Sequence, residues 1–259
     1  MNALVTLPLV LFVVLFELAI GGTIAMVALE RTTDTPLGFL RLAAVVDLAA
    51  AAFAALIAPS LSPEAAIAAR LSYLVAALMA VTLVMTFAPW TAARRAVEAA
   101  TAIAGVVLLV AAASVRFQAQ LSQYDVLALV ALPVGALALG GVDGAMLLGH
   151  WYLVTPKLSP RPLQTAALIF VGALLLQAVL LVLAYSRGFV ATAWEANAAA
   201  TVLRIFVGIV APLPIAVAAW WTARLNTQSS TGLLYIALGM VLAGEIMARM
   251  LFYVAGVPI

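Results

Sequence analysis

The sequence predicts an all-α, polytopic integral membrane protein with eight transmembrane helices. Three observations predict it. Of 259 residues, 67% are hydrophobic and only 8% are charged, which leaves too little polar surface for a water-soluble domain. The mean hydropathy is +1.24. The apolar residues fall into eight runs, at 4–29, 37–58, 70–88, 97–115, 126–154, 163–185, 201–221 and 231–255. Each approaches or exceeds the ~20 residues a helix needs to cross a bilayer.

The elements are justified in order by what separates them. The first run is too long, and too uncharged at its start, for a cleaved signal peptide, so it stays as the first span. Thr32-Thr33-Asp34-Thr35-Pro36 turns the chain into the second, and Pro59-Ser60-Leu61-Ser62-Pro63 into the third. Pro89-Trp90, with Arg94 and Arg95, marks the third loop. Pro156-Lys157-Leu158-Ser159-Pro160-Arg161-Pro162 closes the fifth helix, and Asn226-Thr227-Gln228-Ser229-Ser230 precedes the eighth. Proline, asparagine and serine at these places favour turns over helix. All connections are short, so residues 1–259 form a single transmembrane domain without an extramembrane domain. Gly21-Gly22-Thr23-Ile24-Ala25-Met26 resembles Gly140-Gly141-Val142-Asp143-Gly144-Ala145-Met146. A pair of four-helix bundles, 1–120 and 121–259, would explain that likeness.

Basic residues set the expected orientation. Arg31, Arg41, Arg94, Arg95, Lys157, Arg161 and Arg224 flank the odd-numbered loops. Arg70, Arg116 and Arg187 flank the even-numbered ones. The odd loops are therefore expected in the cytoplasm and both termini outside. The few scattered arginines read as topology signals and give no nucleic-acid surface. No cysteine is present, which removes disulfides, thiolate metal sites and iron–sulfur ligation within this chain. One histidine cannot make a bis-histidine haem site. No nucleotide loop, catalytic triad or metal motif occurs.

Seven residues carry the chemistry that remains. Glu17, Asp47, Asp143 and Glu245 lie near the middle of their spans, Arg249 one turn beyond Glu245, and Arg204 in the outer part of the seventh span. An intramembrane charge costs roughly 2.5–3.5 kcal/mol on insertion scales, so these groups face a protein interior. Two readings stay open. Buried carboxyls can carry protons or bind a quinone headgroup. Alternatively Glu245, paired with Arg249 at i,i+4 or with Arg204, fixes helix packing. Glu17 has no obvious local base. His150, beside Trp151 and Tyr152, is a proton relay or quinone ligand, or an interfacial residue of an aromatic belt. Trp90, Trp220 and Trp221 read as belt residues, and Gln177 as an ordinary interhelical polar group.

The two ends together resemble the membrane anchor subunits of dimethyl sulfoxide reductase and polysulfide-reductase-type complexes. The opening Leu7-Pro8-Leu9-Val10-Leu11-Phe12 running to Ala19-Ile20-Gly21-Gly22 is similar to their first helix. The closing Gly244-Glu245-Ile246-Met247-Ala248-Arg249-Met250-Leu251-Phe252-Tyr253 is similar to their last. The resemblance implies a multi-pass subunit in a prokaryotic inner membrane, active in anaerobic electron transport. It implies a menaquinone or another quinone as ligand, an iron–sulfur subunit and a catalytic subunit as partners, and neither haem nor iron–sulfur cluster in this chain. One departure stands out. The reductase branch places a histidine near the external end of the second helix, whereas Ala54-Ala55-Leu56-Ile57-Ala58-Pro59 has none. Glu17, Asp47 and Arg249 are the candidates to replace it by depth. The competing expectations are a structural subunit without its own ligand and a proton-coupled transporter of a small solute.

Overall fold

A computed structural model describes residues 3–32, 34–115, 126–155 and 158–259, with side chains from Thr6 onward. Thr33, Arg116, Pro156 and Lys157, used above for turns and orientation, lie outside the described residues, as does the 120/121 boundary. The described chain is 89% helical. The helices are α1 (Ala3–Thr32), α2 (Leu37–Ile57), α3 (Ala66–Met85), α4 (Thr91–Ala113), α5 (Val126–Val154), α6 (Arg161–Ser186), α7 (Phe189–Val202), α8 (Pro212–Ala223) and α9 (Thr227–Ala255). A π-helical segment, Leu203–Val210, joins α7 to α8. The result is eight spans long and apolar enough to cross a membrane.

Local chemistry sets the ends. Pro36 and Pro160 sit just before α2 and α6, where a missing N–H costs nothing. The Asn226 side chain accepts from the backbone N–H groups of Gln228 and Ser229 at 2.9 and 3.1 Å and so starts α9. Gly256, at φ 71°, ends it in the left-handed conformation that a glycine adopts without strain.

The seventh span differs from its sequence expectation. It runs from Phe189 to Ala223, 35 residues, whereas the hydropathy suggested 201–221. Asn197 breaks the helix with φ −162° and ψ 95°. Its side chain accepts from the Ala200 N–H at 2.9 Å and restarts the helix. The π-helical stretch follows, ending just before Pro212, which has no N–H to continue the ladder. Hydropathy registers neither event, because both are backbone features.

Packing follows a repeated plan. Among the first four spans, α1 packs on α2 and α4, and α3 on α2 and α4. Among the last four, α5 packs on α6 and α9, and α8 on α6 and α9. The rings meet at α1 and α5, the most extensive helix pair in the molecule. Their crossing uses the two similar glycine motifs against each other. Neither Gly21 nor Gly140 leaves room for a β-carbon, because Gly21 faces the Ala136 carbonyl and Gly140 the Gly21–Gly22 backbone. Small residues thus bring α1 and α5 to backbone contact, the packing available where no hydrophobic force acts between helices.

Candidate functional site

The central polar cluster is assembled from five elements. In α9, Glu245 and Arg249 are one turn apart, and Arg249 Nη2 donates to Glu245 Oε2 at 2.7 Å. From the π-helical segment, Arg204 Nη1 donates to Glu245 Oε1 at 2.6 Å. From α6, Gln177 Nε2 donates to the same oxygen at 2.5 Å. In α1, Glu17 Oε1 lies 2.9 Å from Arg249 Nε in an ion pair without hydrogen-bond alignment. Arg249 Nη2 also reaches the Ala131 carbonyl of α5 at 3.2 Å. Glu17 and Glu245 are wholly buried, and Arg249 and Arg204 nearly so.

Glycines make the cluster possible. Gly208 and Gly244 press together without space for a β-carbon on either. This holds the π-helical segment against α9 and puts Arg204 within reach of Glu245. Gly135 of α5 lies over the charges, and a β-carbon there would strike Arg249, Glu245 and Glu17. Two carboxylates face two guanidiniums. Formal charge cancels, so the arrangement can remain ionised in a dry interior.

The remaining sequence candidates separate into two places. Asp47 of α2 and Asp143 of α5 are both buried at one level of the α1/α5 crossing: Asp47 abuts Gly22, and Gly140 and Gly144, which flank Asp143, face Gly21–Gly22 and Ala25. Asp47 Oδ2 is 3.2 Å from Thr23 Oγ1 of α1, and neither aspartate has an ion pair among the described residues. His150 stands apart and exposed, with Nδ1 2.9 Å from the Tyr235 hydroxyl of α9. Tyr152, grouped with His150 and Trp151 in the expected aromatic belt, turns into the protein. It is buried, and its hydroxyl donates to the Ser159 carbonyl.

Sequence reasoning missed a second ionic group. Arg94 and Arg95 were expected in a loop, but α4 begins at Thr91 and carries both in its first turn. Arg94 is buried and donates to Glu30 Oε1 of α1 at 2.5 Å. Arg95 Nε adds a second bond to that oxygen at 3.0 Å, and Glu98 is buried one turn on. Arg94 is therefore a structural ion first, and its weight as a topology signal falls. A signal existed in Arg94-x-x-x-Glu98 at i,i+4 and in Glu30 near the end of an apolar run. Gln177 was likewise undervalued, since nothing in α6 announces that it meets Glu245. Glu17, which showed no local base, finds Arg249 some 230 residues away in sequence.

Cavities among the described residues lie toward helix ends and outer faces. One of about 320 Å³ is lined by Glu30, Arg31, Asp34, Ser159 and Arg161. Another of about 300 Å³ lies where α2 ends and α3 begins, with Ala58, Pro59, Leu61 and Ala66 as apolar wall and Ser62, Arg70 and Tyr73 as polar groups. Among the described residues no three His, Cys, Asp or Glu side chains are grouped to hold a metal ion. No protein-family model matches this chain, and no curated protein or solved structure matches it either.

Proposed function

We propose that this protein is the membrane anchor subunit of a multi-subunit oxidoreductase and binds a quinol at one membrane face. The observation that carries the reading is the cleft between the end of α2 and the start of α3. A quinone is a flat polar ring on a long apolar tail. It calls for an apolar wall open to lipid, with a few polar groups placed at one end. Ala58, Pro59, Leu61 and Ala66 give the wall, and the Arg70 guanidinium and Tyr73 hydroxyl give donors for the quinone oxygens. In the orientation expected from the basic residues this cleft is external. That is also where the resembling family places its quinol, though the histidine found there has no counterpart here.

Two further features support the reading. The described chain is almost all membrane helix with short connections, so chemistry on a soluble substrate falls to a partner. The deepest charges, Glu17, Arg204, Glu245 and Arg249, neutralise one another. They act as a clamp on five elements and leave quinone binding to the periphery. A second reading, a proton-coupled transporter of a small solute, is favoured by the Asp47–Asp143 pair, which forms no ion pair among the described residues.

Gentle purification from the native membrane tests the proposal. Iron–sulfur and catalytic subunits should co-purify, and solvent extraction should yield quinone in near-equal amount to the protein. Arg70→Ala with Tyr73→Phe should lose most of that quinone while the subunits stay together. A lone protein without quinone sinks the anchor and leaves the transporter. Partners without quinone leave a structural subunit.

A further inference from the structure

We propose that Asp47 and Asp143 together hold a single proton in the membrane interior, at the junction of α1, α2 and α5. The site is independent of the quinol reading. Its geometry is specific. Gly22 of α1 lacks a side chain where Asp47 enters, and a β-carbon there would collide with the Asp47 carboxyl. Asp47 is 2% exposed and Asp143 5%, so both carboxyls lie inside the helix bundle. Asp47 Oδ1 and Asp143 Oδ2 have no hydrogen-bond partner among the described residues.

Thr23 determines how the second Asp47 oxygen is satisfied. The Thr23 hydroxyl has one hydrogen and two acceptors in reach, the Ala19 carbonyl at 3.0 Å and Asp47 Oδ2 at 3.2 Å. One hydrogen cannot serve both acceptors, so the two contacts stand together only when Asp47 carries a proton and donates it to the Thr23 oxygen. A protonated Asp47 beside Asp143 also avoids two adjacent carboxylates in a medium that penalises each charge. Among the helices packed on α2, α1 presents Thr23 and α5 presents Asp143. The charged residue of α3, Arg70, is exposed at its start. Across the molecule, Glu245 has two arginines; here a proton takes the place of the arginine.

Infrared difference spectroscopy of the intact protein in lipid, with no quinone or other ligand added, tests this. The wild type at neutral pH should show the carbonyl band of a protonated carboxylic acid that the double variant Asp47→Asn/Asp143→Asn lacks. Each single variant should keep a band and lose it at lower pH than the wild type, because the neighbouring carboxyl no longer repels the charge left behind. The amide substitutions keep size and polarity, and helical content measured on the same samples shows that the variants fold. The proposal is overturned if wild type and double variant give the same carbonyl region. It is also overturned if sodium ions at fixed pH abolish the band, which would make the pair a metal-cation site. Either failure leaves the quinol proposal standing, since no quinone takes part in the measurement.

Discussion

The molecule buries carboxyls in two different ways within a few helical turns of one another. Glu17 and Glu245 sit in a cluster where two guanidiniums and a glutamine meet them, and Arg249 also donates to a backbone carbonyl. Asp47 and Asp143 sit with one threonine and, among the described residues, no cation in an ion pair with either. The difference teaches what each can do. A cluster of matched charges joins α1, α5, α6, α9 and the π-helical segment, and any change of its ionisation leaves an opposite charge stranded. A pair of acids without a counter-ion is free to gain or lose a proton without dismantling a clamp. Glu30 with Arg94 repeats the first arrangement at the other end of α1, nearer to water.

The comparison predicts a ranking of substitutions. The largest effect should come from Glu245→Ala, which leaves Arg204 and Arg249 buried without their shared partner. Breaking a buried pair from one side costs about 3–5 kcal/mol, and thermal unfolding in detergent should show it. A loss close to zero would break the comparison, because the cluster would then not be a clamp. Next comes Gly208→Leu, which forces the π-helical segment off α9 and separates Arg204 from Glu245. Overpacking of this kind costs roughly 1–3 kcal/mol. Combining it with Glu245→Ala should cost less than the sum, since both act on one contact.

Asp47→Asn should be milder. The amide can still donate to Thr23, so the loss should not exceed the ~0.5–1.5 kcal/mol of one hydrogen bond. The same unfolding assay checks it, and a loss as large as that of Glu245→Ala would mean that Asp47 is ionised and paired. The smallest effect belongs to Arg95→Ala. Its side chain is 45% exposed although it reaches Glu30. An exposed ion pair is worth about 0.2–1 kcal/mol, and added salt should erase most of it. Arg94→Ala, on the same carboxylate but buried, should exceed it clearly, and equal losses would show that burial is not what separates them.

Much of the fold was legible because the bilayer is a strict solvent. Backbone groups in hydrocarbon must bond internally, so apolar runs of sufficient length become helices. The second, fifth, sixth and eighth spans follow the hydropathy within a few residues. The seventh does not, because Asn197 restarts a helix and Pro212 shifts a hydrogen-bond ladder without altering hydropathy. The fourth began too late because Arg94 and Arg95 looked like loop residues. Their burial depends on Glu30, which sits in another helix.

The site was legible in its parts. Intramembrane charge pointed to Glu17, Asp47, Asp143, Arg204, Glu245 and Arg249, since lipid tolerates none of them. Glu245 with Arg249 was readable as a pair because i,i+4 spacing is a property of one helix, and Arg204 stood as an alternative partner for Glu245. The division of the others, with Glu17 and Arg204 joined to that pair and Asp47 set beside Asp143, is a tertiary result. So is the entry of Gln177 and the separation of His150. The glycines explain why. Gly21, Gly140, Gly208 and Gly244 let particular helices touch at particular heights, and height together with facing decides which charge meets which. By itself the sequence determined that the chain is an eight-span helical membrane protein and that the charges inside its spans must face a protein interior, because the solvent imposes both. Which of them neutralise one another, and which are left to hold a proton, only the helix crossings decided.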